Sequence, residues 1–259
     1  MQNQNSIGFF DSGIGGTSIW KEVHQLLPLE NTIFLADSKN APYGEKSKDE
    51  IIYLSQKNTE FLLNKNCKLI VVACNTATTN AIKVLRATYN VPFIGIEPAI
   101  KPAALQSNTK TIGILATKGT LSSELFNKTM ANFKDTIFVE QIGIGLVDLI
   151  EQGKLNSPET HQLLEQFLTP MIEKNIDYLV LGCTHYPYLI PQIEKILPKH
   201  IKIIDSGIAV AKQTKNILEQ NNISNAYNPN PNHTFYTNGN PTILKQFIPK
   251  MVTVISENF

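Results

Sequence analysis

The stretch Leu69-Ile-Val-Val-Ala-Cys74-Asn75-Thr76 is an aliphatic run that ends in a cysteine and two small polar residues. Such a run, followed by a helical pattern that continues to Tyr89, is typical of a central strand of a parallel sheet that leads into a crossover helix. Ligands of such sheets bind beyond the carboxyl ends of the strands. We therefore expect Cys74 to lie at the tip of a buried strand, where it can take part in chemistry.

A second stretch, Asp177-Tyr-Leu-Val-Leu-Gly-Cys183-Thr184-His185, repeats this pattern 109 positions later. Two further landmarks recur at a similar displacement: Thr111-Ile-Gly-Ile-Leu-Ala116 echoes Ser6-Ile-Gly-Phe-Phe-Asp11 at 105 positions, and Asp205 echoes Glu97 at 108. The recurrence predicts a duplicated α/β half with one strand-end cysteine in each copy. The alternative is chance similarity between aliphatic strands. The symmetry is broken where Asp11 corresponds to Ala116.

The duplication predicts an α/β fold of two pseudo-symmetric domains with mostly parallel sheets, in which the strand ends of the two domains face each other. A chain of 259 residues is long enough for two modest domains. We expect residues 1–98 and 207–259 to form the first domain and residues 99–206 the second. The tail is expected to cross back because the second half is complete by Asp205. It is predicted to carry a strand from Phe235, a helix through Phe247 and a closing strand from Met251.

The composition argues against several classes of protein. Hydrophobic residues make up 42% and charged residues 17%, and no apolar run approaches the roughly 18 residues of a membrane helix. A net charge of +1 without a basic stripe gives no electrostatic case for nucleic acid or an anionic membrane. The N-terminal residues lack the pattern of a secretory signal, so we expect a cytoplasmic protein.

The three cysteines are too few for a disulfide framework and lack the spacing of a zinc site, so no metal is expected. Cys67 lies in a helix-to-strand turn and is interpreted as a small buried hydrophobe. Arg86 is the single arginine, so a carboxylate substrate would have to be held by hydroxyls and backbone N–H groups rather than by several guanidinium groups.

A glycine-rich turn, Asp11-Ser12-Gly13-Ile-Gly15-Gly16, follows the first predicted strand. Glycines here permit positive φ and let a ligand approach the backbone closely. A dinucleotide site is one interpretation, since Gly13-x-Gly15 follows a strand and Asp37 ends the next one. Two features oppose it. Ser18 occupies the third glycine position, and the Asp11 carboxylate would crowd a pyrophosphate.

Three further segments carry candidate site residues, each with a plain structural alternative. Pro42-Tyr43-Gly44 follows the second strand and is either a connector or one wall of a pocket. Glu151 ends an apolar segment and is either a solvated helix-end residue or an acid facing Cys183. His185 is either a packing or capping residue or a proton relay beside the Cys183 thiol.

Two cysteines at equivalent strand ends restrict the chemistry. A redox dithiol would normally have a Cys-x-x-Cys motif, which is absent. A cysteine hydrolase would leave the second thiol without a role. Inversion of a stereocentre uses both, since one thiolate removes a Cα proton and the opposite thiol returns one to the other face. A free thiol has a pKa of about 8.5, so nearby groups must organise its deprotonation. Asp11 would bind a cationic amine or carry a proton.

Five motifs together resemble bacterial glutamate racemases, of the cofactor-independent aspartate/glutamate racemase superfamily. They are Phe-Asp11-Ser12-Gly-Ile-Gly-Gly, Ala-Pro42-Tyr43-Gly44, Val-Ala-Cys74-Asn75-Thr76-Ala, Leu-Ile-Glu151-x-Gly and Leu-Gly-Cys183-Thr184-His185-Tyr-Pro. The resemblance spans nearly the whole chain. It departs before Glu151, where Gln141-Ile-Gly-Ile-Gly-Leu-Val-Asp148 replaces a segment that carries Cys-Pro and a further proline in many relatives.

The resemblance implies two pseudo-symmetric α/β domains with the active site in the cleft between them. It also implies racemisation of glutamate without a cofactor, supply of D-glutamate for peptidoglycan, and a homodimer. Cys74 would act on the proton of D-glutamate with help from Asp11. Cys183 would act on that of L-glutamate with help from Glu151 and His185. The residues implied to hold substrate are Asp11, Ser12, Pro42, Tyr43, Gly44, Asn75, Thr76, Thr184 and His185.

Two other functions stay open at the level of sequence. The same scaffold could racemise aspartate or another amino acid, which a panel of substrates would decide. Two α/β lobes around a cleft also describe non-catalytic amino-acid receptors, although such receptors usually carry a signal sequence. Tight binding of an unreacted ligand would favour a receptor.

Overall fold

The computed structural model describes residues 5–225, 227–250 and 252–259. In these ranges the strands, all in parallel ladders, are β1 (Ile7–Asp11), β2 (Thr32–Ala36), β3 (Leu69–Val72), β4 (Phe93–Gly95), β5 (Thr111–Ala116), β6 (Ile137–Ile142), β7 (Tyr178–Gly182), β8 (Lys202–Ile204), β9 (His233–Thr237) and β10 (Thr253–Ser256). The helices are α1 (Thr17–Leu26), α2 (Lys48–Asn64), α3 (Asn75–Thr88), α4 (Ile100–Gln106), α5 (Lys118–Leu121), α6 (Glu124–Met130), α7 (Leu146–Glu151), α8 (Pro158–Glu173), α9 (Ile190–Ile196), α10 (Gly207–Gln220) and α11 (Pro241–Leu244).

The strands form a six-stranded sheet in the order β10-β9-β2-β1-β3-β4 and a four-stranded sheet in the order β6-β5-β7-β8. The series β2-β1-β3-β4 therefore has the same order as β6-β5-β7-β8. The central strands β1, β3 and β7 are buried along their whole length, as their continuous aliphatic runs predict. The expected α/β fold with two pseudo-symmetric halves is confirmed.

The tail strands β9 and β10 extend the first sheet beyond β2, and α10 packs against α1. On this partition of strands we propose that residues 1–98 and 207–259 form one domain and residues 99–206 the other. None of the helices in the described ranges combines the length and the apolar character needed to cross a membrane.

The helix expected to continue through Phe247 is shorter, since α11 ends at Leu244. After it, Gln246 and Phe247 donate to the carbonyls three residues earlier, so the chain tightens into 3₁₀-type turns. Pro249 then disfavours helical geometry at Ile248. The closing strand begins at Thr253, and Met251, where its start was predicted, lies outside the described residues.

Candidate active site

Residues of both halves line a small cavity at the carboxyl ends of their central strands. Its lining residues are Ser12, Pro42, Tyr43, Gly44, Cys74, Asn75, Thr76, Thr117, Val147, Cys183, Thr184 and His185. This set contains every site residue predicted from sequence except Asp11 and Glu151. Asp11 contacts the lining residue Thr184, and Glu151 contacts the lining residue His185. Arg86 lies elsewhere, with its guanidinium donating to the carbonyl of Phe93 on β4.

Cys74 lies between β3 and α3 and caps that helix. The backbone N–H of Ala77 donates to its Sγ at 3.4 Å, and the Ser12 hydroxyl lies 3.8 Å from the same sulfur. Burial, and next the Asp11 carboxylate, raise the pKa of Cys74 well above its ordinary value, and the nearby Cys183 raises it further. Cys74 is therefore a neutral thiol at neutral pH and can donate a proton.

Asp11, at the tip of β1, is completely buried. Its Oδ2 accepts from the Gly16 N–H at 2.6 Å, and the Thr184 hydroxyl lies 3.4 Å from the same oxygen. Burial raises the pKa of Asp11, while the positive charge of His185 and the hydrogen bond from Gly16 lower it in part. The carboxyl group is therefore suited to carry a proton beside Cys74.

Replacing Asp11 by asparagine is expected to stabilise the protein at neutral pH while it slows turnover. A carboxyl whose pKa is raised in the fold opposes folding once it is ionised. This cost is absent below the unfolded pKa of about 3.9 and complete above the raised folded pKa. We expect the free energy of unfolding of Asp11→Asn to exceed that of wild type by on the order of 1 kcal/mol near neutral pH. Urea titrations should show the difference disappear on acidification.

Asp177→Asn is the matched control for this experiment, because the two aspartates should respond with opposite signs. Burial opposes ionisation of Asp177, but hydrogen bonds from Ser107, Thr109 and Asn108 hold its pKa below the ordinary value. Asp177→Asn should therefore destabilise the protein near neutral pH. Destabilisation by both variants would contradict the account of Asp11.

Cys183 follows β7 and lies beside a histidine relay. Its Sγ is 3.7 Å from Nδ1 of His185, and Nε2 of His185 lies 2.6 Å from Oε1 of Glu151. Burial alone would lower the pKa of His185. The hydrogen bonds to Cys183 and Glu151 outweigh it, so the pKa is raised well above the ordinary value. His185 is therefore an imidazolium at neutral pH, placed to pair with a Cys183 thiolate.

Glu151 ends α7 and crosses to the first half of the chain. Its Oε1 accepts from the Ile14 N–H at 2.7 Å, and its Oε2 accepts from the Ser38 hydroxyl at 2.9 Å. Because its remaining strong contact is with His185, Glu151 reaches Cys183 through the imidazole. The sequence had not singled out Ser38 for this purpose.

The glycine-rich turn before α1 aims two backbone N–H groups at carboxylates of the site: that of Ile14 donates to Glu151 at 2.7 Å, and that of Gly16 donates to Asp11 at 2.6 Å. The Gly15 nitrogen lies 3.3 Å from Nε2 of His185, which carries a proton in the imidazolium and so does not accept a hydrogen bond. A Cβ on Gly13 would lie 1.9 Å from Glu151 Oε1, and one on Gly15 would lie 2.2 Å from His185 Nδ1. The turn therefore needs glycine for close approach by the second half. Its N–H groups are directed to protein side chains, which disfavours the dinucleotide interpretation.

Asn75 and Thr76 begin α3 on the wall of the cavity. Asn75 is 3% exposed, and neither polar atom of its amide has a hydrogen-bond partner among the described residues. Thr76 Oγ1 lies 2.8 Å from Thr117 Oγ1 across the two halves. Thr117 was not among the site residues predicted from sequence. The repeat of landmarks pointed to it, because Thr117 corresponds to Ser12 when Ala116 is aligned with Asp11.

Tyr43 lines the cavity, and its hydroxyl donates to the Asp37 carboxylate at 2.5 Å. Burial and the Asp37 carboxylate raise the pKa of Tyr43 well above the ordinary value, so the phenol stays protonated. Gly44 packs against the second half, where an added Cβ would lie 2.7 Å from Thr117 Cβ. Cys67 lies in the core, where burial raises its pKa to about 12, and its interpretation as a buried hydrophobe is confirmed.

Comparison with known proteins identifies the family of this chain. The family model for Asp/Glu/hydantoin racemases matches residues 17–214. A glutamate racemase of Cupriavidus pinatubonensis is 41% identical over 253 residues, which cover 97% of this chain and 93% of that protein. Two solved structures are also similar over nearly their whole length. Glutamate racemase isoform RacE1 from Bacillus anthracis has a TM-score of 0.89 and 29% identity, covering 99% of this chain and 98% of its own. The Francisella tularensis glutamate racemase in complex with D-glutamate has a TM-score of 0.85 and 28% identity, covering 98% and 97%.

These matches cover well over half of the chain, and the two solved structures are similar to nearly all of it. The protein is thus a racemase, an isomerase that belongs to the Asp/Glu/hydantoin racemase family and, within it, to the glutamate racemases.

Proposed function

We propose that this protein interconverts L-glutamate and D-glutamate without a cofactor, by moving a proton between the substrate Cα and two cysteine thiols. One observation carries the proposal: Cys74 and Cys183 line one small cavity from equivalent strands of the two halves, each with its own proton-handling partner. Asp11 serves Cys74, and the His185–Glu151 pair serves Cys183. The Francisella tularensis relative with bound D-glutamate supports the choice of substrate.

In the proposed reaction, the Cys183 thiolate takes the Cα proton of L-glutamate and becomes a thiol. The electron pair left on Cα forms a planar carbanion. The Cys74 thiol then gives its proton to the opposite face, which yields D-glutamate and a Cys74 thiolate. The reverse reaction starts from that thiolate, and exchange of protons with water restores the original state. Asp11 carries protons to and from Cys74, and the imidazolium of His185 balances the charge at Cys183.

Neutral groups would hold the substrate. The N-terminus of α3, at Asn75 and Thr76, offers backbone N–H groups to a carboxylate. The unpartnered amide of Asn75 can both donate to a carboxylate and accept from an ammonium group. Hydroxyls of Ser12, Thr76, Thr117 and Thr184 line the same space. These hydroxyl, amide and backbone groups suit a small amino acid with two carboxylates.

Asn75→Ala is expected to raise KM for glutamate by about tenfold, which corresponds to loss of a hydrogen bond to a charged group. Its stability should stay at or above that of wild type, because the amide it removes is buried without a partner in the free protein. Steady-state kinetics and urea titrations measure the two effects.

Asn225→Ala is the matched control, since Asn225 is also buried, its side-chain amide has no partner among the described residues, and it does not line the cavity. It should leave KM unchanged. An unchanged KM in Asn75→Ala as well would remove Asn75 from the proposed substrate site.

Incubation of the purified protein with each enantiomer of glutamate in heavy water tests the proposed function. Loss of optical rotation with deuterium at Cα, without any added cofactor, is the expected result. Exchange with aspartate but not glutamate would change the proposed substrate. Tight binding without exchange would favour an amino-acid receptor.

We further propose that the protein supplies D-glutamate for peptidoglycan in the cytoplasm and acts as a homodimer. Dependence of growth on added D-glutamate after depletion of the protein would support the cellular role. Sedimentation equilibrium would measure the oligomeric state.

A further inference from the structure

Tyr188, just after the Cys183-Thr184-His185 segment, connects the second half of the chain to the start of α1. Its hydroxyl lies 2.5 Å from Thr17 Oγ1. The Thr17 hydroxyl already donates to the Ile14 carbonyl at 2.6 Å, so the Tyr188 O–H is the donor in this pair. Burial raises the pKa of Tyr188, and the phenol therefore keeps its proton at neutral pH.

The ring of Tyr188 is fixed from two sides by the first half. The Lys21 ammonium group lies 5.0 Å from the ring centroid, and the Phe247 ring of the C-terminal tail meets it edge-on at 4.7 Å between centroids. These contacts limit the directions in which the hydroxyl can point. Tyr188 is therefore a rigid donor aimed at Thr17.

Thr17 transmits this restraint to the glycine-rich turn. Both its hydroxyl and its backbone N–H donate to the Ile14 carbonyl. The N–H of Ile14 in turn donates to Glu151, which holds His185 beside Cys183. A continuous series of short contacts thus runs from the Tyr188 hydroxyl to the proton relay.

We propose that Tyr188 is a positioning residue. Through Thr17 it holds residue Ile14 in place, so that the turn keeps Glu151 and His185 correctly positioned beside Cys183. This inference rests on the proposed racemase function for its kinetic consequences. The geometry predicts that the hydroxyl matters for turnover as well as for stability.

Tyr188→Phe removes the hydroxyl and keeps the ring packed. We expect kcat to fall about tenfold with little change in KM, because small displacements of a catalytic group can cost up to about 10²-fold in rate. Tyr178→Phe is the matched control. This variant also loses a tyrosine hydroxyl that bonds to a side chain, that of Gln106. Tyr178 does not line the cavity. It should keep the wild-type kcat.

The Thr17 variants test whether Tyr188 acts through this residue. Thr17→Ser keeps a hydroxyl and should stay within about twofold of wild type. Thr17→Val loses it and should reproduce the defect of Tyr188→Phe. The double variant should be no slower than Thr17→Val alone, since residues that act in series are not additive. If the losses of kcat in the two single variants added fully in the double variant, the proposal would be overturned.

A readout independent of turnover separates this inference from the proposed function. In protein labelled with ¹⁵N-histidine, the His185 imidazole signals, identified by their loss in His185→Asn, should shift in Tyr188→Phe and not in Tyr178→Phe. Wild-type kcat together with unmoved His185 signals would overturn the role of Tyr188, even if the melting temperature falls. Failure of the wild-type protein to racemise glutamate would instead count against the proposed function, and the His185 signals would still decide the role of Tyr188.

Discussion

Alanine at either Cys74 or Cys183 is expected to lower racemisation by at least about 10³-fold, within the range of general acid–base catalysis. Both thiols line the same cavity, and each inversion needs one to accept and the other to donate a proton. A single thiol can serve one face of Cα only. Polarimetry with each enantiomer measures the loss, and urea titrations check that the variants fold. Substantial turnover in either variant would contradict the two-thiol proposal.

Isotope exchange in these variants would assign each thiol to a face. A variant that retains one cysteine can still remove and return a proton on that face without inversion. Cys74→Ala should therefore exchange the Cα proton of L-glutamate slowly with heavy water, and Cys183→Ala that of D-glutamate. The opposite pattern would exchange the proposed roles of Cys74 and Cys183 and leave the two-thiol mechanism intact.

Replacing His185 by asparagine is expected to lower kcat by about 10²-fold. The imidazole lies 3.7 Å from Cys183 Sγ, and asparagine cannot supply its positive charge. The wild-type rate should fall as pH rises through the raised pKa of His185, since the imidazolium is lost there. The variant should lack this alkaline decrease. A variant whose pH profile keeps the wild-type shape would contradict the assignment of that decrease to His185.

Loss of the His185 proton should also lower the stability of the protein as pH rises. A histidine whose pKa is raised in the fold contributes stability that is complete below its unfolded pKa of about 6.5 and is lost as pH rises through the folded value. The difference in free energy of unfolding between wild type and His185→Asn should therefore shrink above about pH 6.5. His161→Asn is the control, because His161 is exposed beside Glu165 and should give a small effect.

The strands that carry the chemistry could be located from the amino-acid sequence alone. Aliphatic runs before Cys74 and Cys183 predict buried parallel strands, since hydrophobic pattern is a local property of the chain. The repeat of landmarks predicts two similar halves, and the sheets have the corresponding order. Motifs at the strand ends gave most of the residues that line the cavity.

Which distant groups contact one another depends on how the two halves pack and is visible only in the folded protein. The hydrogen bond from Ile14 to Glu151 joins residues 137 positions apart, and that from Tyr188 to Thr17 joins residues 171 positions apart. Thr117 and Ser38 gain their roles in the same way, by packing of one half against the other. No local pattern encodes such contacts, because they depend on the angle at which two separately formed sheets meet. The cysteines could thus be identified from the chain, whereas the partners that adjust their protons follow from the packing of the two halves.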